Sequence, residues 1–559
     1  MFSWLRQQTA AMFSKSVAPT MCRLLRQPHC LSYFANSTLA GMKSPAKWDH
    51  HMHQRSSTTN AEAFQVAGEA ATAAVETSPP NQDVSSQYRH EPLVLSDLDL
   101  ISPNTLVSSF LVYKLGPEHD LDLVTEALRQ GLGSAAKQIP TLGARIRFED
   151  GKPLTQLSPG AVKLKVRHFE HHEHKSYDEL AAAQFRPSEF QQGRLVPVEA
   201  YDSLLERPVL VAQLSFIPGG AILALGFNHI ASDGVSRSIA LSAICKASKS
   251  RMQVTSVTPS HASGSFDFRR QALAAPSELL RLHKEQLVTQ IKDYTVIDAG
   301  AMAAAAKGAA TAKAGMANMK NKTALYSIKG AALQKLKQSC IPIEGISTYL
   351  STYDCVSALL WRCLMRARTR LRPHLLSDNT RMLHAVDLRS RFKLSNSFSL
   401  AKTYFGNAVG VAPAGPLPMS TLLSDNDDGL SLAASTVRSS ILSSAAPSSI
   451  LAATALGHKT LPSENIMFMP SRGIADGDFM LSGWGFMKTA EYDFGLGAPR
   501  AVTPPDVAIP GFAFMFPDCE RGLGGTGRTY EICLTLPAEE QDLLCQDDEF
   551  RRWFGVRTW

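Results

Sequence analysis

Apolar residues show no periodic pattern up to about residue 86, where Ser, Thr, Ala and polar side chains dominate, and they become regular from Glu91 onward. Glu91-Pro92-Leu93-Val94-Leu95 and Val107 to Leu115 are strand-like apolar runs, separated by Asp99-Leu100-Ile101-Ser102-Pro103. Leu121, Val124, Leu128 and Leu132 then recur at helical spacing. Asp120 stands at the capping position and Ile139-Pro140 ends the segment, which predicts a helix over 121–137. Arg145 to Phe148 reads as a strand running into the turn Glu149-Asp150-Gly151. Pro208 to Ile217 and Ala221 to Phe227 flank Pro218-Gly219-Gly220, the pattern of two buried strands joined by a tight turn, and Val235, Ile239, Leu241 and Ile244 suit a helix over 235–246. Strands and helices alternate in this way to about residue 290, which argues an α/β or α+β domain.

Residues 299–320 contain no acid and no aromatic and consist almost wholly of Ala, Gly, Lys, Thr and Met, a linker or crossover whose alanines also permit a helix. Beyond them a strand over 323–328, a helix over 331–337 and a long helix over 354–370 open a second domain of similar size. The expected organisation is a disordered or targeting segment over 1–86, an N-terminal domain over 87–295, a linker over 296–322 and a C-terminal domain over 323–559. No short-period internal repeat is visible.

Composition narrows the classes. With 559 residues, 44% hydrophobic and 19% charged, the chain can bury the cores of two or more domains, which excludes wholesale disorder. A formal charge of +7 with no long Lys/Arg block excludes a nucleic-acid footprint. Nine cysteines, an odd number with no C-x-x-C pair, suggest neither a zinc site nor a disulfide framework and fit a reducing compartment. No apolar stretch reaches the about 18 residues of a membrane-spanning helix. Residues 1–48 carry Arg6, Lys15, Arg23, Arg26, Lys43 and Lys47 and no acid, the composition of a mitochondrial transit peptide, although a plain basic tail reads the same way. The expected location is cytoplasmic, with mitochondrial as the alternative.

Candidate chemistry sits just past the second of the paired strands. His229 is followed by Ile230-Ala231-Ser232-Asp233-Gly234 and then by the predicted helix, so a strand, an H-x-x-x-D-G turn and a helix place an imidazole at the mouth of a sheet. His174…Asp178 and His374…Asp378 share the spacing but have neither the following Gly nor the preceding strand. A neutral imidazole there can take a proton from a hydroxyl or amine attacking a carbonyl; a buried structural histidine is the plain alternative. Asp233 fits better as an orienting ion-pair partner than as a proton carrier.

Other signals carry less. Gly522-Leu-Gly524-Gly-Thr-Gly527 fits G-x-G-x-x-G but stands between two strand-like runs, Gly511–Phe516 and Thr529–Leu536, so it reads as a hairpin loop, whereas a dinucleotide site needs strand, loop and helix. His168-Phe-Glu170-His171-His172-Glu173-His174 reads as a solvated polar edge, and no metal is expected. No G-x-S-x-G elbow or P-loop is present.

The same chain contains Ser482-Gly483-Trp484, then Asp493-Phe494-Gly495-Leu496-Gly497, then Pro499. In between H-x-x-x-D-G and these come Ser351-Thr-Tyr-Asp354, Ala358-Leu-Leu-Trp361, Asp387-Leu-Arg389-Ser-Arg391 and Tyr404-Phe405-Gly406-Asn407. Together, over about residues 91–555, they resemble the BAHD acyltransferases, in particular their fungal branch, the trichothecene acetyltransferases. The departures are Leu496 where the family usually has Trp between the glycines, and Tyr353 where Asn is commoner.

The resemblance implies two chloramphenicol-acetyltransferase-like α/β domains, with His229 at their interface in a channel open to CoA on one side and to the acceptor on the other. His229 would be the general base of a direct transfer without an acyl-enzyme, Ser482 would help at the oxyanion and Trp484 would shape the pocket. Asp233, beside Gly234, would pair with an arginine, Arg389 or Arg391. Asp493, Phe494, Gly495 and Gly497 would be structural. The implied function is transfer of an acyl group from acyl-CoA to a hydroxyl or amine of a small molecule, a secondary metabolite or glycolipid, by a monomer with no tightly bound cofactor and acyl-CoA as co-substrate. The alternatives are a condensation-type enzyme on carrier-bound thioesters, which usually has a second His where this chain has Asn228, a non-catalytic binder of the same fold, and a metal-dependent hydrolase.

Overall fold

In the computed structural model the described residues run from 93 to 558, apart from 104, 150–151, 199–204, 253–272, 292–293, 298–320, 390–392, 396–397, 400–401, 425–426, 444–446, 461–464, 469–473, 475–476, 505–508 and 518–528. The expected N-terminal segment, most of the expected linker, Arg391 and the loop Gly522–Gly527 lie outside them.

The chain enters through a short helix, α1 (Asp97–Leu100). Of the expected strand at 91–95 the described part, 93–95, carries a single bridge between Val94 and Gln156, because Ser96 accepts from the Asp99 backbone, its own backbone N–H donates to the Asp99 carboxylate, and this box turns the chain into a helix. Then follow β1 (Leu106–Lys114), α2 (Leu121–Gln138), β2 (Leu164–His168), β3 (Leu210–Ile217), β4 (Gly220–Asn228) and α3 (Gly234–Met252). Asp120 caps α2 as its position predicts, accepting from the Asp122 and Leu123 amides. Gly219 makes the β3–β4 turn at φ 73°, and a Cβ on Gly220 would stand 2.8 Å from the Tyr113 carbonyl oxygen of β1, so the Gly-Gly pair is needed twice over.

The second half supplies β5 (Asn321–Ile328), α4 (Thr352–Leu371), β6 (Asn379–Asp387), β7 (Val409–Pro418), α5 (Asp427–Ser443), β8 (Phe479–Gly483), β9 (Ala501–Thr503), β10 (Phe512–Pro517), β11 (Tyr530–Pro537), α6 (Ala538–Gln546), α7 (Asp548–Trp553) and β12 (Gly555–Thr558). β10 and β11 pair antiparallel, as the two arms of a hairpin do on either side of the glycine-rich loop.

Two sheets organise these strands. The first has the order β9-β1-β4-β3-β2 and the second β7-β6-β8-β10-β11-β5-β12. The first is not built from the N-terminal half alone: β9 crosses over to pair with β1, Leu111 opposite Val502. The sheets also share a core, in which Leu111, Leu223, Leu225 and Phe227 pack with Leu325, Phe405, Trp484 and Phe514. β3 and β4 are buried on both faces, which is why they read as continuous apolar runs. α4 is buried nearly all round, against the second sheet and α5 to α7.

Candidate active site

His229 follows β4 directly, and the strand ends there for a local reason. The Asn228 side-chain oxygen accepts from the Ile230 amide at 3.0 Å, and the Asn228 carbonyl accepts from the Ala231 amide at 3.1 Å and from the Ser232 hydroxyl at 3.2 Å, which folds the backbone into a turn. Asp233 then caps α3, its Oδ1 accepting from the Ser236 amide at 2.9 Å. The His229 backbone is held from both sides: its N–H donates to the Thr105 carbonyl at 2.8 Å and its carbonyl accepts from Asn407 Nδ2 at 2.8 Å.

The Asp233 carboxylate is taken up by partners other than the imidazole. Arg389 grips it bidentately, Nη1 to Oδ2 at 2.8 Å and Nη2 to Oδ1 at 2.9 Å, and the Ala408 amide donates to Oδ2 at 2.9 Å. Burial by itself would raise this carboxyl, but the Arg389 charge and the donors around it hold it below the usual carboxylate range. Arg389 also donates to the Tyr404 and Gly406 carbonyls and to the Ser236 hydroxyl. The H-x-x-x-D-G turn is thereby bolted to the Asp387-Leu-Arg389 and Tyr404-Phe405-Gly406-Asn407 segments.

The imidazole is half-buried, with Nδ1 enclosed. Burial and the nearby Arg237 charge lower its pKa from 6.5 to about 4, against smaller opposing effects of its own backbone, Asp233 and the Asn407 side chain. Nδ1 and Asn407 Oδ1 are both buried without a partner of strict hydrogen-bond geometry, yet near enough for Asn407 to act on the ring. At neutral pH His229 is an uncharged base.

Ser482 and Trp484 come to the same region from the end of β8. The Trp484 indole Nε1 donates to Ser482 Oγ at 3.1 Å, so the serine lone pair is engaged and its own O–H is left to donate elsewhere. The Arg237 guanidinium, on the first turn of α3, lies 5.7 Å from the Trp484 ring centroid. Gly234 leaves room for the Phe486 ring, which a Cβ would meet at 2.6 Å. Trp484 and Phe486 from the second half thus meet the residues following His229.

Asp493 Oδ1 accepts from the Gly495 amide at 2.8 Å and the Gly497 amide at 2.9 Å, and Oδ2 pairs with Lys249 of α3 at 2.6 Å. Gly495 at φ 103° and Gly497 at φ 80° adopt angles that disfavour a side chain. Phe494 packs edge-on to Tyr113 with centroids 6.0 Å apart, and the Tyr113 hydroxyl donates to the Tyr492 carbonyl at 2.7 Å. This loop knits itself and docks on β1 and α3.

The model of the transferase family matches residues 80–550. The chain belongs to that family. Within it, it is of the BAHD acyltransferase type. It is 26% identical over 354 residues to trichothecene 3-O-acetyltransferase TRI101 of Fusarium sporotrichioides, covering 62% of this chain and 68% of that one. It is likewise 26% identical over 293 residues to acyltransferase BOA11 of Botryotinia fuckeliana, covering 49% of this chain and 60% of the relative. The solved structure of F. sporotrichioides TRI101 complexed with coenzyme A and T-2 superposes with a TM-score of 0.60 at 20% identity, over 84% of this chain and 100% of that one. That likeness is one of fold: two chloramphenicol-acetyltransferase-like α/β halves.

In this transferase the sequence pattern singled out His229 and Asp233 with Gly234, and the family resemblance added Ser482, Trp484 and either Arg389 or Arg391; the structure pairs Arg389 with Asp233 and brings Trp484, bonded to Ser482, against Arg237 of the helix that Asp233 caps. Asn407 and Arg237 were missed as site residues. Asn407 belongs to a segment legible as part of the family pattern; Arg237 follows Asp233 by one helical turn, but nothing in its type or spacing distinguishes it from any other helix arginine. The histidine-rich segment gathers no metal set among the described residues: His168 stacks on Phe216 at 4.9 Å and His174 Nδ1 lies 2.9 Å from the Lys175 carbonyl. A cavity of about 290 Å³ opens beside it, lined by His171, His174 and Arg194 among others and by none of the residues around His229. Cys363, Asp547 and Glu549 form the one ligand-like group among the described residues, and Arg366 already bridges its two acids at 2.8 Å each.

Proposed function

We propose that this acyltransferase moves an acyl group from acyl-CoA to the hydroxyl of a small-molecule acceptor, a secondary metabolite or glycolipid, with His229 as general base. The observation that carries this reading is an uncharged, half-buried imidazole whose motif carboxylate is fully engaged by Arg389 and so cannot hold the ring as an imidazolium. Coenzyme A as donor follows the relative, whose structure is complexed with it.

The ring nitrogen opposite the enclosed Nδ1 takes the acceptor proton as the acceptor oxygen attacks the thioester carbonyl. The new carbon–oxygen bond leaves a tetrahedral oxyanion, for which the O–H of Ser482 is the proposed donor; the Trp484 indole N–H donating to its oxygen supports that assignment by leaving the O–H to donate. Collapse breaks the carbon–sulfur bond, and the CoA thiolate takes the proton back from the imidazolium. The protein contributes a base of fixed direction, because Thr105 and Asn407 hold the His229 backbone on both sides. Asn228, where a condensation-type enzyme usually has a second histidine, instead uses its side-chain oxygen to form the turn.

The test is mass spectrometry of a metabolite extract incubated with the purified protein and a ladder of acyl-CoA thioesters, with carrier-bound thioesters in parallel, comparing wild type with His229→Ala. An acyl adduct from CoA donors that drops about 10²–10⁴-fold in rate in the variant supports the reading. Adducts from carrier-bound donors alone favour the condensation-type alternative, and CoA binding without any adduct favours a ligand-binding protein.

A further inference from the structure

Arg237 is only 6% exposed, and yet among the described residues no carboxylate lies within salt-bridge distance of its guanidinium. The contacts that hold it are Nε to the Asp233 backbone carbonyl at 3.3 Å and the Trp484 ring at 5.7 Å. The nearest motif acid, Asp233, is unavailable, since both its oxygens are occupied by Arg389 and by the Ser236 and Ala408 amides. The position compounds the problem. Arg237 lies in the first turn of α3, the positive end of a helix dipole, where a cation is least favoured.

A charge taken from water is tolerated when it is paired and costly when it is not. Burial accordingly lowers the Arg237 pKa to about 10, against a partial counter-effect from Asp233. Three other buried arginines show the contrast: Arg389 has Asp233, Arg368 has Glu540 at 3.0 Å and Arg438 has Asp354 at 2.5 Å. Arg237 is left with donors to spare, and neither of its terminal nitrogens is a fully enclosed atom lacking a partner.

We propose that Arg237 is the receptor for a carboxylate carried by one of the two reactants, at the end of the acyl group or on the acceptor, and that it selects for that charge at the acyl-transfer centre. The proposal rests on the transferase reading above. The guanidinium is fixed by its neighbours with a planar fork that matches a carboxylate, and it stands beside Trp484 and Gly234, one turn past the H-x-x-x-D motif. The phosphates of CoA are separated from the thioester by the pantetheine arm, so the anion met here belongs to the reacting end.

Two arms test it. In the first, kcat/KM and calorimetric affinity are compared for malonyl-CoA against acetyl-CoA and for succinyl-CoA against butyryl-CoA. In the second, acidic acceptors from the extract are compared with their methyl esters, using acetyl-CoA as donor. Wild type is expected to favour the carboxylate member of one pair by about tenfold or more, as a hydrogen bond to a charged group is worth. Arg237→Gln should erase that preference, bringing the ratio of charged to neutral member to about one, and Arg237→Lys should retain part of it. The arm in which the preference appears identifies which reactant bears the charge. Equal values for both members in both arms, or a Gln variant that keeps the wild-type ratio of charged to neutral member, overturns the proposal. If the Gln variant does not fold, the wild-type ratios and the Lys variant decide. Turnover that depends on His229 but ignores charge sinks this inference alone. With no adduct from any donor the transferase reading fails, and equal calorimetric affinities within the thioester pairs and within the acceptor–ester pairs then overturn the carboxylate receptor as well.

Discussion

At the scale of single residues, the site separates two groups that a motif lists together. His229 and Asp233 stand four apart in H-x-x-x-D, and their environments push them in opposite directions: the imidazole is kept neutral by burial and by Arg237, the carboxylate is kept charged by Arg389. The consequence for pH can be worked out. With His229 as the proposed base, turnover needs its free form, and the native ring takes its proton at about 4 where an unperturbed one does so at 6.5, so kcat/KM should hold its plateau through pH 5 with the His229 limb near 4. Between those values the unfolded chain binds more protons than the folded one, so this residue also makes folding stability fall as pH drops from 6.5 toward 4. A pH–rate profile checks the first statement; an acid limb at 6.5 in wild type would contradict it. Arg237→Gln removes a positive neighbour and should move the limb upward.

At the scale of elements, the Asp493–Gly497 loop is a conspicuous motif whose contacts are structural ones. It is closed on itself by the Asp493 carboxylate and seated on the C-terminal end of α3, where a Cβ on Gly495 would come within 2.4 Å of the Met252 side chain. Gly495→Ala combines that crowding with a backbone angle foreign to L-residues and should cost about 1–3 kcal/mol of stability. The expected pattern is a lower melting temperature with kcat reduced less than tenfold. A loss of kcat as large as that of His229→Ala, in a variant that melts like wild type, would move the loop into the reaction itself. α2 and the β3–β4 hairpin illustrate the opposite case, since their caps, turn glycines and apolar spacing are local and appear where the pattern places them. Residues 93–95 of the expected strand stop at one bridge for an equally local reason, the Ser96–Asp99 box that starts α1.

At the scale of the whole molecule, the two sheets are joined by a shared core, by the β9 crossover and by one buried ion pair in which Arg389, from the turn after β6, holds the cap of α3. Removing one partner of such a pair leaves a charge stranded in the interior, so Arg389→Ala should cost about 3–5 kcal/mol and release the turn that aims His229. Chemical denaturation combined with kcat measures both. A variant within 1 kcal/mol of wild type would show that the pair does not hold the halves together.

Sequence by itself determined the order and type of most elements, because helix caps, strand alternation and turn glycines act over a few neighbours and leave their mark in the residues. It also determined the position of His229 at a strand end, since strand, H-x-x-x-D-G turn and helix are contiguous. Which arginine answers Asp233, the crossing of β9 into the first sheet and the convergence of Trp484, Gly234 and Arg237 were decided only in three dimensions. Those contacts join residues separated by 156 positions for Arg389 and Asp233 and by 391 for Leu111 and Val502, and no local pattern records a partner that far along the chain. Burial follows the same rule: Arg237 is an ordinary helix residue by sequence, and packing against Trp484 buries it where no carboxylate among the described residues pairs with it.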